Sequence, residues 1–438
     1  MIRMVVRPRF ASLVAAGVGL LVLAGGICRL TSLDCHLCAL PGRDCATTNL
    51  PPGFREEVVA GGLTVPTSFA FLPDGRVVVA EKEGVIRLVE DGHVRERAFL
   101  DIRERVNTFS LRGLLTVEPD PEFARNGLLY ILYAYEDGRG PTRGPRRVRV
   151  SRFQAVTDLA LPATEKVLLG TQGRTSCATL PAGRDCIPAD GDQVGGDIKF
   201  GADGMMFVST GDGADEEAGL ANSIRAQDLD SLAGKLIRVT RAGFGRQDNP
   251  FWTGDPNAAR SKVWAYGFRN PFRITIRRGS DDIAYVGDVG WDSAEEIDAG
   301  TRGANFGWPC YEGSERVGAF ARDPTCRRLR TRSPSELRSP VFSYPTQLDP
   351  RRAAVTGGVF YTGRSYPTEY RGVYFFGDWA ANWIRYLHID SQDRVALEKA
   401  EPFLEEANGP VELEVGPDGN LYYLASKLGE LRRILYRG

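Results

Sequence analysis

Hydrophobic and polar positions repeat one phrase along this chain: an apolar strand, an Asp-Gly turn, and a second apolar strand. It is clearest in FAFLPDGRVVVAEKEGVIRLV (69–89), DIKFGADGMMFVST (197–210) and LEVGPDGNLYYLASKLGELRRIL (413–435). An Asp-Gly pair between two alternating apolar runs is a hairpin signal, because the glycine takes the positive φ that a tight turn needs. VEPDPEFARNGLLYILYAY (117–135), ITIRRGSDDIAYVGDVG (274–290) and GVFYTGRSYPTEYRGVYFFGDW (358–379) keep the strand, turn, strand order while the turn residues drift. Six such units, spaced by roughly 40 to 90 residues, predict an all-β chain: a six-bladed β-propeller with long inter-blade loops. Closing the ring leaves no long open sheet edge.

Between the units, the stretch from about 136 to 191 is rich in Gly, Pro and Arg and reads as surface loop with two strands, VRVSRFQAV (148–156) and EKVLLG (165–170). Residues 50–66 read as the lead into the first blade. The pattern predicts no helical domain; a short helix is expected only near Ala218 to Leu232. The N-terminus differs from all of this. Arg3, Arg7 and Arg9 precede an uncharged run from Phe10 to Ile27, about 27 Å long as a helix, which predicts a secretion signal or a signal anchor. The expected organisation is a signal peptide or anchor over 1–27, a Cys-rich exported linker over 28–53, and the propeller over 54–438. The body is then periplasmic or extracellular, touching a membrane only through the N-terminal segment.

Charge and cysteine content narrow the function. A formal net charge of −1 over 438 residues excludes a general nucleic-acid binder, and the basic run at 139–152 reads as a solvated loop entering a strand. The eight cysteines fall in groups: Cys28, Cys35, Cys38 and Cys45; Cys177 with Cys186; Cys310 with Cys326. The two later pairs are expected to be loop-closing disulfides, in keeping with export. The first group, which includes His36, is open to disulfides or to a zinc site. Of the three histidines, His36 lies in that group and His93 and His388 have no partner motif, which gives no good support to a Ser-His-Asp hydrolase or a His-based metalloenzyme.

Eight strings in order, among them PDPEFARNGLLYILY, GGDIKFGADGMMFVSTGD, QDLDSLAGKLIRV, VWAYGFRNPFR, DVGWDSAEEID and GANFGWPCYEG, resemble the glucose/sorbosone dehydrogenase family over about 54–435. That family includes quinoprotein aldose dehydrogenases and the propeller of Hedgehog-interacting protein. The resemblance implies oxidation of an aldose with pyrroloquinoline quinone (PQQ) and calcium. It places the family's catalytic histidine, which takes the sugar's hydroxyl proton, at Gln193, and the aspartate that orients it at Asp212. A carboxamide has no basic site near neutral pH, so Gln193 can hold a hydroxyl but cannot take its proton. The cofactor contacts map onto Arg269 and Asn270, and the calcium-holding backbone carbonyls onto Gly290 and Trp291. Three further contacts are missing: a glutamine falls at Leu111, two arginines fall at Gly409 and Val411, and no lysine is found in the sequence around Trp379 and Ala380.

Each residue also has a plainer role. Asp212 can cap a turn, Arg269-Asn270-Pro271 can be a structural corner, and the acids Asp212, Asp215, Glu216 and Glu217 can form a solvated loop. Two functions therefore stand side by side: a quinone-dependent aldose dehydrogenase with rewired contacts, and a non-redox propeller that binds a sugar, a glycan or a protein on its tunnel face.

Overall fold

The computed structural model describes residues 49–438 except 137, 139–145, 173–176, 215–219, 278, 280–282, 332–335, 349–350 and 397–398. The expected signal or anchor segment and the first cysteine group lie outside the described residues. Among the described residues no helix is long and apolar enough to cross a membrane.

Six antiparallel sheets form the six expected blades. Their inner strands are Pro66–Phe71, Leu114–Pro119, Ile198–Phe200, Pro271–Arg277, Val355–Phe360 and Pro410–Val415. Each packs against the inner strands of both neighbouring blades, which closes the ring. Second strands such as Val77–Glu81 and Leu421–Ala425 are buried at every position, because a blade's middle is covered by the next blade on either face.

Three expectations about connections change. Phe54–Ala60 does not lead into the first blade; it is the outermost strand of the last one, paired with Glu430–Tyr436 from Phe54↔Tyr436 to Ala60↔Leu431. The final strand would otherwise present an unpaired edge, and this pairing ties the two ends of the ring together. Arg147–Val156 is likewise no surface strand but the third strand of the second blade, in register from Leu128↔Gln154 to Tyr135↔Arg147. Arg147, expected in a solvated run, is buried. The helical stretch expected near 218–232 is a 3-10 helix at Leu220–Gln227, and an unexpected α-helix at Pro324–Thr331 is held to the loop before it by a disulfide. That disulfide, Cys310–Cys326, and Cys177–Cys186 are the two pairs expected.

The tunnel is filled by charge. Lys199 meets Glu414 at 2.5 Å, Glu118 at 3.3 Å and Glu412 at 3.5 Å. Three carboxylates around one ammonium leave excess negative charge, and burial pushes the Glu118 carboxyl up to about 8 against the pull of Lys199. A carboxyl held above its unfolded value contributes stability at low pH that is lost as pH rises through that value. Glu118→Gln should therefore be neutral at pH 5 and raise the melting temperature at pH 9 by about 2–4 °C. Thermal unfolding at both pH values checks this; equal shifts at both would refute it.

Candidate functional site on the tunnel face

The site grows from the glycines around the third blade. A Cβ on Gly196 would lie 2.0 Å from the Ser209 carbonyl oxygen, and one on Gly211 would lie 2.2 Å from that of Gln193. Only glycine permits this approach. It lets the loop before Ile198–Phe200 pair with the loop after Met206–Thr210: Gly191 N–H donates to the Gly213 carbonyl at 2.9 Å, and Gly213 N–H to the Gln193 carbonyl at 2.7 Å. The backbone of Gln193 is thus fixed one residue from Asp212. Gln193 is nearly buried, and its carboxamide has no hydrogen-bond partner among the described residues.

Asp212 is fully buried, not part of a solvated acidic loop; Asp215, Glu216 and Glu217 lie outside the described residues. One oxygen accepts from the Ala214 N–H and the other from the Trp308 indole N–H, both at 2.8 Å. Burial pushes its carboxyl up, opposed by the Arg269 charge and these donors. Its own N–H donates to the Arg269 carbonyl at 2.8 Å. Arg269 and Asn270 are in turn set by Asp288, which accepts both backbone N–H groups at 2.9 and 2.6 Å, and the Asn270 side-chain oxygen accepts the Gly195 N–H at 2.8 Å. An unbroken path of backbone and hydrogen bonds therefore joins Gln193, Asp212, Arg269 and Asn270.

The Gly290 and Trp291 carbonyls, to which the resemblance assigns calcium, each accept from a guanidinium group. Arg269 Nη1 donates to the Gly290 carbonyl at 2.6 Å and to that of Val289 at 3.0 Å, while Arg352 Nη2 donates to the Trp291 carbonyl at 2.7 Å. A divalent ion held by Gly290 and Trp291 would face two guanidinium cations, whose charge opposes calcium there. Two further positions that the resemblance assigns to quinone contacts carry apolar side chains. Leu111 is exposed, and Val411 is buried in the core with its carbonyl taken by Arg273. One cation missed in the sequence does appear. Lys427, from the last blade, donates to the Trp379 carbonyl at 3.1 Å and lies 4.8 Å from the centre of its ring. It passes over Gly409, where an added Cβ would come 3.0 Å from the Lys427 side chain. No local spacing relates positions 379 and 427; only blade closure brings them together.

Beneath this face lies a cluster that the sequence analysis did not single out. Asp288 faces Glu296 across two strands and Asp298 follows two residues on, so the strand pleat puts all three on one side. One oxygen from each lies within 4.8 Å of the others. Asp298 is fully buried, and neither of its oxygens has a hydrogen-bond partner. Burial pushes all three carboxyls up, Asp288 to about 7. Asp288 and Glu296 do accept backbone N–H groups, but three buried carboxylates around a common point, one of them without any donor, suit a hard divalent cation such as calcium. The signal was present in DVGWDSAEEID as two acids at alternate positions of a buried strand.

Blades, tunnel and face together define a six-bladed propeller of the quinoprotein type. The chain belongs to the glucose/sorbosone dehydrogenase family, whose profile matches residues 63–433. It is 24% identical over 388 residues to the aldose sugar dehydrogenase YliI of Escherichia coli, covering 88% of this chain and 93% of that protein. It is 26% identical over 246 residues to mouse Hedgehog-interacting protein, covering 52% of this chain and 32% of the relative. A crystal structure of a glucose dehydrogenase superposes with a TM-score of 0.69 at 25% identity, covering 86% of this chain and 99% of that one.

Proposed function

We propose that this chain is an exported member of the family that binds a sugar or glycan on its tunnel face without taking hydride from it. One observation carries this reading: Gln193 offers an unpartnered carboxamide where the resemblance places a base, beside an Asp212 whose two oxygens are already occupied by Trp308 and Ala214. Such a pair can donate to and accept from hydroxyl groups, but it cannot remove a proton. The guanidinium groups on the Gly290 and Trp291 carbonyls support the same conclusion. Two disulfides support export.

The relative named an aldose sugar dehydrogenase favours a second reading, PQQ-dependent aldose oxidation. Hedgehog-interacting protein, by its name, favours a protein on this face. The test adds PQQ and calcium to the purified protein, follows absorbance and heat, and assays aldoses with an artificial acceptor. We expect no turnover. Gln193→His, combined with Leu111→Gln on the exposed rim, should bring activity up by about two to four decades over that background. Val411→Arg is unsuitable for such a rescue, because Val411 is packed in the core. Oxidation by the natural protein at an ordinary rate, about 1–1,000 per second, would overturn the non-redox reading.

A further inference from the structure

A groove of about 920 Å³ opens on the outer side of the second and third blades, away from every residue of the tunnel-face site. Its walls are the strand Lys166–Leu169, the loop closed by Cys177–Cys186, the turn at 240–244, and the residues leading into the short helix Ala259–Lys262. The chain fixes these walls on all sides. Gly183 N–H donates to the Asp230 carbonyl at 3.1 Å, its carbonyl accepts from Ala259 N–H at 2.9 Å, and Arg260 grips the Asp230 carboxylate through two bonds of 2.9 and 2.7 Å. The turn at 240–244 packs so closely that a Cβ on Gly243 would lie 2.3 Å from the Leu168 carbonyl oxygen.

Two features of the lining call for a ligand. Lys262 is 2% exposed, and its ammonium meets only Asp185, at 3.5 Å. That carboxylate already accepts from Gly170 N–H at 3.1 Å and from the Thr171 hydroxyl at 2.8 Å. An ammonium carries three donors and Asp185 takes one, so the others are open to the groove, where solvent or a ligand oxygen can accept them. At the rim, Phe244 is 45% exposed although it belongs to a well-packed turn. The less exposed charges of the lining are paired within the chain, Lys262 with Asp185 and Asp230 with Arg260, and Lys166, Arg184 and Asp255 are exposed to solvent, so the groove presents no buried excess of either sign. An apolar ligand would leave Lys262 donors unpaired, and an anion would find the Lys262 ammonium already neutralised by Asp185.

We infer that this groove is a saccharide-binding site for a neutral oligosaccharide. Its sugar rings lie with their apolar face on Phe244, a ring hydroxyl oxygen accepts from the Lys262 ammonium, and neighbouring hydroxyls donate to the side-chain oxygens of Asp255 and Asn257. Hydroxyl groups act as donor and acceptor at once, which matches a lining of mixed charge. The volume is in the range of sites that bury small ligands. The site is separate from the tunnel-face reading and stands or falls without it.

The test titrates maltotetraose, cellotetraose and chitotetraose into the full chain by calorimetry and saturation-transfer NMR. At least one should bind at millimolar concentration. Phe244→Ala, at an exposed position that leaves the fold unchanged, should weaken it by about 2- to 10-fold, the loss expected for one aromatic contact. Asn257→Ala should weaken it as well, and Gln193→Ala should not. Absence of binding by all three sugars would overturn the proposal, as would a loss caused by Gln193→Ala and not by Phe244→Ala, which would put the sugar on the tunnel face.

Discussion

Arg273→Ala should be the most damaging single substitution in the ring. Arg273 lies on the inner strand of the fourth blade and is almost fully buried. Its guanidinium donates to the Val411 carbonyl at 3.1 Å, to the Thr116 hydroxyl at 3.2 Å, to the Gly196 and Leu115 carbonyls at 3.1 Å each, and to the Thr67 carbonyl. These acceptors come from the first, second, third and last blades, so one side chain links five of the six. Glu412 stands 4.0 Å away as its counter-charge. Truncation would leave buried carbonyls without donors and a buried carboxylate without a cation, a combination that costs about 3–5 kcal/mol. We expect a fall in melting temperature on the order of 10 °C, with Arg273→Lys intermediate because it keeps the charge and loses the fork. Urea unfolding of both variants measures this. A loss below about 1 kcal/mol, the level of an exposed ion pair, would show that the ring does not depend on its central arginine.

Removal of divalent cations should have the next largest effect. With Asp288, Glu296 and Asp298 holding a cation at about 100 times its dissociation constant, binding adds about 2.7 kcal/mol to stability. A chelator should remove that increment, and added calcium should restore it. Asp298→Asn provides the control, because it takes away the carboxylate that has no other partner. In that variant the melting temperatures with chelator and with calcium should coincide. If the natural protein melts identically in both conditions while Asp298→Asn is more stable than it, the cluster is a set of buried protonated acids with no ion.

The ring of six blades could be recognised from the sequence because each blade is specified locally. An Asp-Gly turn between two apolar strands needs no information from elsewhere, and the units at 69–89, 197–210 and 413–435 carry it outright. Gln193, Asp212, Arg269 and Asn270 became candidates by a different route: the resemblance carried the family's residue roles onto the matching positions, and local pattern alone marked only Asp212, between Gly211 and Gly213, as a strand-end residue. The disulfide pairs were legible because loops of 9 and 16 residues leave the partners close in the chain.

Contacts between blades were decided only by the tertiary structure. That Phe54–Ala60 completes the last blade, that Lys427 covers Gly409 and reaches Trp379, and that Arg273 collects acceptors from four other blades all join residues far apart in sequence. Periodicity reports which face of a strand is buried, not which neighbour buries it. The same limit explains the calcium carbonyls. The resemblance implied metal ligands at Gly290 and Trp291, but what those oxygens face depends on Arg269 and Arg352, which come from elsewhere in the chain. Asp298 shows the converse: its place in an alternating strand was plain, and only the closed blade, which buries it and gives it no donor, makes it a candidate ligand.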